Sequence, residues 1–371
     1  MKILHVLYSG LGGHGNVFFS FVKAAGTTNF QYEALYNGIE EVRPEYISNC
    51  SQYGIPWQFV PKKPGFDWRY YSQLIGHIRR SDADIVFIHS SAYIFPAWLG
   101  SLLSKKRKKV VVRETQANHL KAKMEWFWLA FALLTANSIV FLSEAYQQEV
   151  ASRLRLFYRS GRITVIPNGL DLDYYKPYAI AANEKTMIGM QSRLVRLKDH
   201  ETLLAAFALL VNLSDADNQQ LELRIAGDGD YRQALEEKAA ALQLGDKVEF
   251  TGMLDEPHLL DFLKSLNIYV HASLGETMST AIMQAMACGL PVIASDVKGI
   301  HNMIENGVTG MLVPVQDAKA LSGALASLLD DKDKRTALGA AARRYAVQHF
   351  SNEVMVNAYR GLFAKLLKGK G

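Results

Sequence analysis

The sequence predicts an α/β protein built from two doubly wound domains, and three observations carry that prediction. The chain has 371 residues, which is too many for one ordinary hydrophobic core. Short β-rich runs alternate with helix-like runs through both halves, as in parallel sheets covered by helices. Between the halves lies a stretch rich in turn-forming residues, 168–185, with Pro177 in its middle, and such a stretch is typical of a domain boundary.

The expected strands are short and apolar. In the first half they cover residues 3–8, 32–37, 57–60, 85–89, 110–113, 139–142 and 163–166. In the second half they cover residues 187–190, 221–226, 248–251, 268–271, 292–294 and 311–313. Runs with helical spacing separate many of them, at residues 16–25, 70–80, 200–211, 231–241, 259–266, 281–287 and 318–329.

The end of the chain predicts one further helix after Ser351. Its apolar residues recur at helical spacing and so share one face; they are Met355, Ala358, Tyr359, Leu362, Phe363 and Leu366. No strand follows this helix, so we expect its apolar stripe to pack back across the domain junction. The expected domains are therefore residues 1–176 together with helix 352–371, and residues 177–351.

Composition and charge limit the partners and the cellular setting that can be expected. The net charge is +5, which permits a phosphorylated ligand or an anionic membrane surface without requiring either; no nucleic-acid partner is expected. Cys50 and Cys288 are far apart and form neither a disulfide framework nor a metal-binding spacing, which indicates a reducing, cytoplasmic setting. The first residues enter a strand and a glycine turn rather than a cleavable signal.

Three segments bear on membrane contact. The apolar stretch 126–142 is slightly short for a membrane span and contains several polar residues, so we interpret it as a buried helix leading into a strand. A helix lying in the membrane interface is the alternative. The basic run 105–109 and the lysine-rich tail 365–370 fit a protein that is peripheral at the inner face of the membrane, although a solvated helix end also explains the run.

A glycine-rich turn follows the first expected strand. Gly10, Gly12 and Gly15 have the spacing of a phosphate-binding loop that opens a helix. A dinucleotide site also requires an acidic residue at the end of the second strand, and Asn37 and Gly38 stand there instead. The sequence thus argues against an NAD-dependent oxidoreductase, while a phosphate-facing loop and a merely tight turn stay open.

Two loops of the second half carry charge where strands end. Arg193 and Lys198 follow one strand and precede a helix, so they face the ligand crevice of an open sheet and are placed to neutralise a departing diphosphate. Solvated loop cations are the plainer explanation. Asp228 and Asp230 lie in a similar turn, where the spacing is too common to predict a metal ion.

The stretch "GETMSTAIMQAMACGLPVIASD", residues 275–296, combines groups suited to a sugar phosphate. Residues 277–280 begin a helix, and the free N–H groups at a helix start suit phosphate or sugar oxygens. Glu276 lies just outside the helix and Gln284 lies inside it. A carboxylate and an amide together suit polyol recognition, whereas Glu276 alone is also explained as a favourable helix-dipole charge.

Two histidines of the first half stand at the ends of neighbouring strands. His89 closes "DIVFIHS" and His119 follows the next strand in "VVRETQANHL". A lone histidine is usually a satisfied structural residue. Two at adjacent strand ends make a substrate site an equally good explanation.

These stretches together resemble retaining glycosyltransferases of family GT4, which have the GT-B fold. The resemblance covers nearly the whole chain and rests on the order and spacing of "VIPNGLDLDYY", "SRLVRLKDHETLLAAF", "LRIAGDGDYRQAL", "VEFTGM" and "GETMSTAIMQAMACGLPVIASDVKGIHNMIENGVTGMLV". It implies two Rossmann-like domains facing a cleft, with the C-terminal helix crossing back to the first domain. It also implies that the second domain binds a nucleotide-diphosphate sugar, that the first binds the acceptor, and that no metal cofactor is needed.

The resemblance assigns roles residue by residue. The catalytic set is Glu276, Arg193, Lys198 and His119. The residues expected at the nucleotide sugar are Gly12, Gly13, Gly227, Met253, Thr277, Met278, Ser279, Thr280 and Gln284. The residues expected at the acceptor are His89 and Glu114.

The chain departs from the family pattern at two places. Gln284 stands where a second glutamate usually binds the ribose hydroxyls, which predicts uncharged and weaker nucleotide binding. Thr115 stands where a histidine is often found after the fifth strand, and His119 is expected to substitute for it.

The sequence therefore predicts a metal-independent, retaining transferase that moves a hexose or N-acetylhexosamine from a UDP- or GDP-sugar. The acceptor is expected to be a glycan or a lipid-linked hydroxyl in surface polysaccharide or glycoconjugate synthesis. A nucleotide-sugar epimerase of the same fold and a catalytically weak nucleotide-sugar-binding protein are the rival interpretations.

Overall fold

The computed structural model describes residues 1–10, 13–24, 30–116, 118, 121–178, 185–213 and 221–368. The chain forms two compact units, Met1–Gly169 with Asn352–Gly371, and Leu170–Ser351. The division lies before the boundary expected at 176/177, because Leu170 bridges to Ser351 and its N–H donates to the carbonyl of Phe350 at 2.7 Å. Tyr175 is likewise buried in the core of the second unit.

The first unit is a parallel sheet covered on both faces. Its strands are β1 (Lys2–Tyr8), β2 (Gln31–Gly38), β3 (Trp57–Pro61), β4 (Ile85–Ile88), β5 (Lys109–Glu114), β6 (Ser138–Phe141) and β7 (Ile163–Val165). Its helices up to residue 169 are α1 (Gly13–Ala24), α2 (Pro44–Gln52), α3 (Trp68–Arg80), α4 (Ile94–Leu102), α5 (Lys123–Thr135) and α6 (Glu144–Arg153). The strand order is β3-β2-β1-β4-β5-β6-β7, so the order reverses between β1 and β4, where ligands of such sheets bind.

The second unit repeats this plan. Its strands are β8 (Thr186–Gln191), β9 (Leu221–Ala226), β10 (Val248–Gly252), β11 (Ile268–His271), β12 (Val292–Ser295) and β13 (Met311–Val313), in the order β10-β9-β8-β11-β12-β13. Its helices are α7 (His200–Leu213), α8 (Arg232–Ala241), α9 (Glu256–Ser265), α10 (Thr280–Ala287), α11 (Lys298–His301), α12 (Ala318–Leu329) and α13 (Lys332–His349). Each expected strand is present among the described residues, and no boundary moves by more than a residue or two. Two parallel, doubly wound sheets are what the alternating pattern predicted.

The last helix, α14 (Asn352–Lys368), belongs to the first unit, as predicted. Met355, Val356, Tyr359 and Phe363 are buried in the same core as α1 and strands β1, β4 and β5. Ala358, expected on the buried face, is exposed, because Val356 packs inward and turns the buried stripe slightly around the helix. Helix α14 packs against the core of the first unit because it has an apolar stripe and no following strand for that stripe to cover.

The opposite face of the first sheet carries α3, α4 and α5. Tyr70, Leu74, Ile94, Trp126 and Leu129 pack there against alternate residues of the same strands. Alternation along a strand sends neighbouring side chains to opposite faces, so the two faces have separate cores. Within the residues that the structure describes, no helix combines the length and hydropathy needed to cross a bilayer.

Candidate active site

Two loops meet at the carboxyl edge of the second sheet. One follows β8 and ends in a 3-10 turn, Arg196–Lys198; the other runs from β11 to α10. The N–H of Leu274 donates to the carbonyl of Leu197 at 2.8 Å, and the hydroxyl of Ser273 donates to the same carbonyl at 3.2 Å. Because β8 and β11 are neighbouring parallel strands, their following loops share one edge of the sheet.

A carboxylate, a cation and a histidine join these loops. Lys198 Nζ forms an ion pair with Glu276 Oε1, and the two side chains are only 15% and 11% exposed. His271, the last residue of β11, places Nε2 2.8 Å from Glu276 Oε1. Its Nδ1 lies 3.3 Å from the hydroxyl of Tyr269. The neutral ring that carries its proton on Nε2 satisfies both contacts.

The charge state of this group follows from its surroundings. Burial alone would raise the pKa of Glu276, but the hydrogen bond from His271 and the ammonium of Lys198 outweigh burial and lower that pKa to about 2. Burial lowers the pKa of His271. At neutral pH the site thus holds an ionised glutamate against a charged lysine and a neutral histidine.

Close backbone packing holds both loops in place. At Gly227, where φ is +133°, an added Cβ would lie 1.9 Å from the carbonyl oxygen of Ser192. At Gly299 an added Cβ would lie 2.0 Å from the carbonyl oxygen of Glu276. Only glycine permits such approach, so these two residues set the paths of the Lys198 and Glu276 loops. Sequence reasoning assigned Gly227 to the nucleotide sugar, and in this structure it packs on the loop that leads to Lys198.

Gln284 is hydrogen-bonded to two other residues of the second unit. Gln191 Nε2 donates to Gln284 Oε1, and Gln284 Nε2 donates to the hydroxyl of Tyr175 at 2.8 Å. All three side chains are buried, and Gln191 Oε1 has no hydrogen-bond partner in the described part of the chain. The amide therefore ties β8, α10 and the first residues of the second unit together. Its expected contact with a ribose stays a prediction.

Two family models match the chain, one after the other. "Glycosyltransferase Family 4" matches residues 11–174 and "Glycosyl transferases group 1" matches residues 177–345. The chain belongs to glycosyltransferase family 4. Together the two matches include strands β2 to β7 of the first sheet, the whole second sheet, and every residue of the Lys198–Glu276–His271 group.

Curated relatives agree with this assignment. The chain is 29% identical over 204 residues to a D-inositol 3-phosphate glycosyltransferase of Thermobispora bispora, a match that spans only 47% of that relative's length. It is 28% identical to the N-acetyl-alpha-D-glucosaminyl L-malate synthase of Bacillus anthracis, over 99% of this chain and 98% of the relative.

Solved structures show the fold. The Anabaena protein HepE in complex with UDP and glucose superposes with a TM-score of 0.81 at 19% identity, covering 98% of this chain and 99% of that one. Sucrose-phosphate synthase from Thermosynechococcus elongatus gives the same TM-score and identity, with both chains fully covered. The predicted GT-B fold with two Rossmann-like domains is confirmed.

In this glycosyltransferase the other residues predicted in the second unit differ in exposure and in hydrogen bonding. The side chain of Arg193 is exposed and makes no hydrogen bond or ion pair within the described residues, so no such contact joins it to Lys198 or Glu276. Ser279 caps α10, because its hydroxyl accepts from the N–H of Ile282 at 3.3 Å. Thr277 and Met278 are partly buried, Thr280 is exposed, and Met253 is 78% exposed.

The residues predicted in the first unit have internal partners. His89 Nε2 lies 3.1 Å from His5 Nδ1. Glu114 forms a buried ion pair with Lys121 at 3.4 Å and accepts from the N–H of Ser91 at 3.3 Å. Among the described residues no hydrogen bond or ion pair joins His89 to Glu114. Gly13 begins α1, while Gly12 and His119 lie outside the described residues.

The glycine turn before α1 is tightly packed. A Cβ at Gly10 would lie 2.4 Å from the carboxylate of Glu40, and one at Gly15 would lie 2.4 Å from the ring of Tyr46. Close packing alone therefore accounts for these two glycines, which favours the explanation as a tight turn.

Sequence reasoning missed His271, Tyr269, Gln191 and Tyr175. A usable signal existed for His271, since it ends a strand five residues before Glu276, and the same strand-end argument had selected His89. No local signal marks Gln191 or Tyr175, which are 93 and 109 positions from Gln284 in the sequence. No group of three or more histidine, cysteine or acidic side chains in the described ranges is arranged to hold a metal ion, and metal independence stays a prediction.

Proposed function

We propose that this glycosyltransferase moves a hexose or N-acetylhexosamine from a UDP- or GDP-sugar, with retained anomeric configuration, to a hydroxyl of a glycan or lipid-linked acceptor. The reaction would belong to surface polysaccharide or glycoconjugate synthesis in the cytoplasm. The observation that carries the proposal is the largely buried Lys198–Glu276 pair at the carboxyl edge of the second sheet, beside the start of α10.

Lys198 supplies positive charge where a diphosphate leaves. The breaking bond between sugar and phosphate leaves negative charge on the phosphate oxygens, and a fixed cation lowers the energy of that transition state. Lys198 is held by Glu276 before any ligand arrives, so little reorganisation is required. This charge takes the part that a divalent cation would otherwise play, which supports a reaction without metal.

Glu276 acts as a hydrogen-bond acceptor rather than as an acid or base. A carboxyl group whose pKa is about 2 holds no proton to donate at neutral pH and is a weak base. Its oxygens suit sugar hydroxyl groups, and its charge favours positive charge that develops on the sugar ring. The acceptor hydroxyl can then lose its proton to a departing phosphate oxygen, which accounts for attack from the same face.

His271 is a positioning residue for Glu276. Its ring is 1% exposed and is held by Tyr269 on one side and by Glu276 on the other. A buried neutral ring fixes the carboxylate without adding charge to it. The direction in which Glu276 points is thereby set by β11.

The relatives support the donor and leave the acceptor open. The Bacillus anthracis relative is named for an N-acetylglucosaminyl product, and the Anabaena structure holds UDP and glucose. Both favour a UDP-linked hexose or N-acetylhexosamine here. The acceptors in the relatives' names differ from one another, so they do not select one for this chain.

The test is a donor panel with the purified full chain. UDP- and GDP-linked glucose, galactose, mannose and N-acetylglucosamine are incubated with EDTA, and released nucleotide diphosphate is measured with and without glycan or polyprenyl-phosphate-sugar acceptors. Slow hydrolysis of one donor that an acceptor accelerates supports transfer, and the anomeric configuration of the product decides retention. Epimerised donor without acceptor would establish the epimerase instead, and tight donor binding without turnover would establish a binding protein.

A further inference from the structure

Helix α5 leaves an apolar face uncovered. One side of the helix, with Trp126, Leu129, Ala132 and Leu133, is buried against the sheet. The opposite side carries Met124, Phe127, Phe131 and Leu134, whose spacing places them in one stripe. Met124, Phe127 and Leu134 are 61%, 57% and 46% exposed. A helix that is apolar on every side is normally enclosed on every side, so the stripe requires a cover.

The end of α4 extends this apolar surface. The ring of Trp98 packs edge-on against Phe131, with centroids 5.6 Å apart. Just beyond Trp98, α4 ends in Leu102 and is followed by Leu103, which are 65% and 54% exposed. The exposed stripe of α5 and the end of α4 therefore form one surface of the first unit.

Two unpaired cations border that surface. A pocket of about 550 Å³ is lined by Trp98, Leu102, Lys105, Arg107 and Thr135, which places the cations beside the ends of both helices. Lys105 and Arg107 are exposed, and neither forms a hydrogen bond or ion pair within the residues described.

Two other residues of the basic run 105–109 have partners within the protein. Lys106 pairs with Asp84 at 2.9 Å, and the buried Lys108 donates to the carbonyl of Arg79 at 3.3 Å. Only part of the run is thus available to a partner. The nearest acid of α5, Glu125, is tied to the N–H of Ala122 at 2.6 Å, so it does not offset Lys105 and Arg107 directly.

A further cation lies along the same edge of the unit. A second pocket, of about 400 Å³, shares Asn137 with the first and is also lined by Lys365 of α14. Lys365 is exposed. Positive charge therefore continues past the ends of α4 and α5 along the amino edge of the sheet.

We propose that the α4–α5 surface, formed by Leu102, Leu103, Lys105, Arg107, Met124, Phe127 and Leu134, docks on a lipid bilayer that contains anionic lipids. Helix α5 lies in the plane of the interface. Its 13 residues make a helix about 20 Å long, which is too short to cross the membrane. Apolar side chains enter the boundary between head groups and acyl chains, while the cations meet lipid phosphates.

The chemistry of the surface selects a bilayer over a protein. Exposed aliphatic and aromatic side chains lie next to the unpaired Lys105 and Arg107. The acidic side chains named for this surface, Asp84 and Glu125, both have partners. This combination fits a fluid anionic surface better than it fits one complementary protein. The docking does not depend on sugar transfer. It has a consequence for the proposed function, because α5 begins near the carboxyl edge that carries Glu114 and brings that edge to a lipid-linked acceptor.

Vesicle flotation tests the proposal with the full chain and no sugar donor. Vesicles of phosphatidylcholine alone are compared with vesicles containing about 30 mol% phosphatidylglycerol, at low salt and at about 0.5 M salt. We expect binding to the anionic vesicles, weak binding to phosphatidylcholine, and a loss of binding at high salt that is only partial because the apolar contribution remains.

Two double variants and two matched controls locate the surface. Phe127→Ser with Leu134→Ser, and Lys105→Glu with Arg107→Glu, should each reduce partition onto anionic vesicles by about tenfold or more. Phe66→Ser with Val347→Ser removes two exposed apolar residues elsewhere, and Lys319→Glu with Lys332→Glu makes the same charge change in the second unit. Both controls should bind as the wild type does, and circular dichroism should show all four variants folded.

Three results would overturn the proposal. The first is a wild-type chain that does not float with anionic vesicles, and the second is a pair of controls that lose as much binding as the test variants. The third is a dimer, seen by light scattering, that Phe127→Ser with Leu134→Ser dissociates, since a second copy would then cover the surface. Donor turnover without vesicles is measured beside these assays, so a failed docking proposal and a failed transferase proposal give different results.

Discussion

The carboxyl edges of the two sheets each carry a buried histidine, but the two edges are built differently. In the second unit His271 contacts Glu276, which also pairs with Lys198. In the first unit His89 contacts another histidine, His5. Burial lowers the pKa of His271 and of His89 alike. A histidine that ends a strand therefore does not define a charged site; the loop that follows it decides.

The second edge gathers opposite charges close to the surface. The first edge keeps its charged groups buried, since Glu114 and Lys121 are almost wholly enclosed and the buried Arg113 donates to the side-chain oxygen of Asn168. The two sheets are built alike, but their charged residues differ in exposure. At the second edge a charge pair keeps some contact with solvent, and at the first edge the charge pair is enclosed within the fold.

The largest expected effect is on stability at the first edge. Glu114→Ala should lower the free energy of unfolding by about 3 kcal/mol or more, because Lys121 would be left buried without its counter-charge. Urea denaturation of the variant against the wild type measures this loss. The double variant Glu114→Ala with Lys121→Met should recover part of it. Unchanged stability with turnover lost only in the presence of acceptor would instead return Glu114 to the acceptor site.

At the second edge the effect should fall on turnover. Glu276→Ala and Lys198→Ala should each reduce kcat/KM by more than about tenfold, or about 1.4 kcal/mol of barrier height. Glu276→Gln should lose as much, since it keeps the shape and removes the charge. Released nucleotide diphosphate is the readout. Rates near wild type in both alanine variants would remove the site assignment and the contrast between the edges.

The two edges also predict a pH dependence of stability. Burial lowers the pKa of His5 to about 3, against about 6.5 in an unfolded chain. Its contribution is therefore present above pH 6.5 and is lost as pH falls from 6.5 towards 3, by about 1.4 kcal/mol per pH unit. In His5→Phe, the slope of the unfolding free energy plotted against pH should be smaller than in the wild type by that amount between pH 6 and 4. An unchanged slope would show that His5 is not the group responsible.

The pKa of Glu276 also predicts that the free energy of unfolding decreases as pH falls, but over a lower pH range than for His5. Its folded pKa of about 2 lies below the ordinary value of 4.5, so its stabilising contribution is present above pH 4.5 and is lost as pH falls towards 2. The difference in unfolding free energy between wild type and Glu276→Gln should stay constant from pH 8 to 5 and shrink below that. A difference that does not shrink below pH 5 would contradict the lowered pKa of Glu276.

The smallest expected effect is at Gln284. A glutamate in its place can still accept from Gln191 Nε2 and from the hydroxyl of Tyr175, so Gln284→Glu should keep donor affinity within about threefold or improve it. Calorimetric titration with UDP measures the change, with Tyr175→Phe as the matched variant that removes the partner instead. A tenfold loss in Gln284→Glu alone would show that a donor N–H of the amide is essential.

Local patterns were sufficient for most of the fold. β9, β11 and β13 have the bounds that the sequence predicts, because short apolar runs between turn formers leave a strand few alternatives. The apolar stripe of α14 predicted its return to the first unit. Helices such as α6 and α13 were not among the expected elements, since their buried residues are sparse and their faces are largely polar.

The sequence by itself determined the two parallel sheets, the edge at which a ligand would bind, and the residue types that stand there, because each follows from spacing along a strand or helix. Tertiary structure alone decided which of those residues meet. Lys198 and Glu276 are 78 positions apart, and Gln284 and Tyr175 are 109 apart. It also decided that Arg193 faces solvent while His271 is enclosed, because burial and pairing depend on how neighbouring loops close over a strand end.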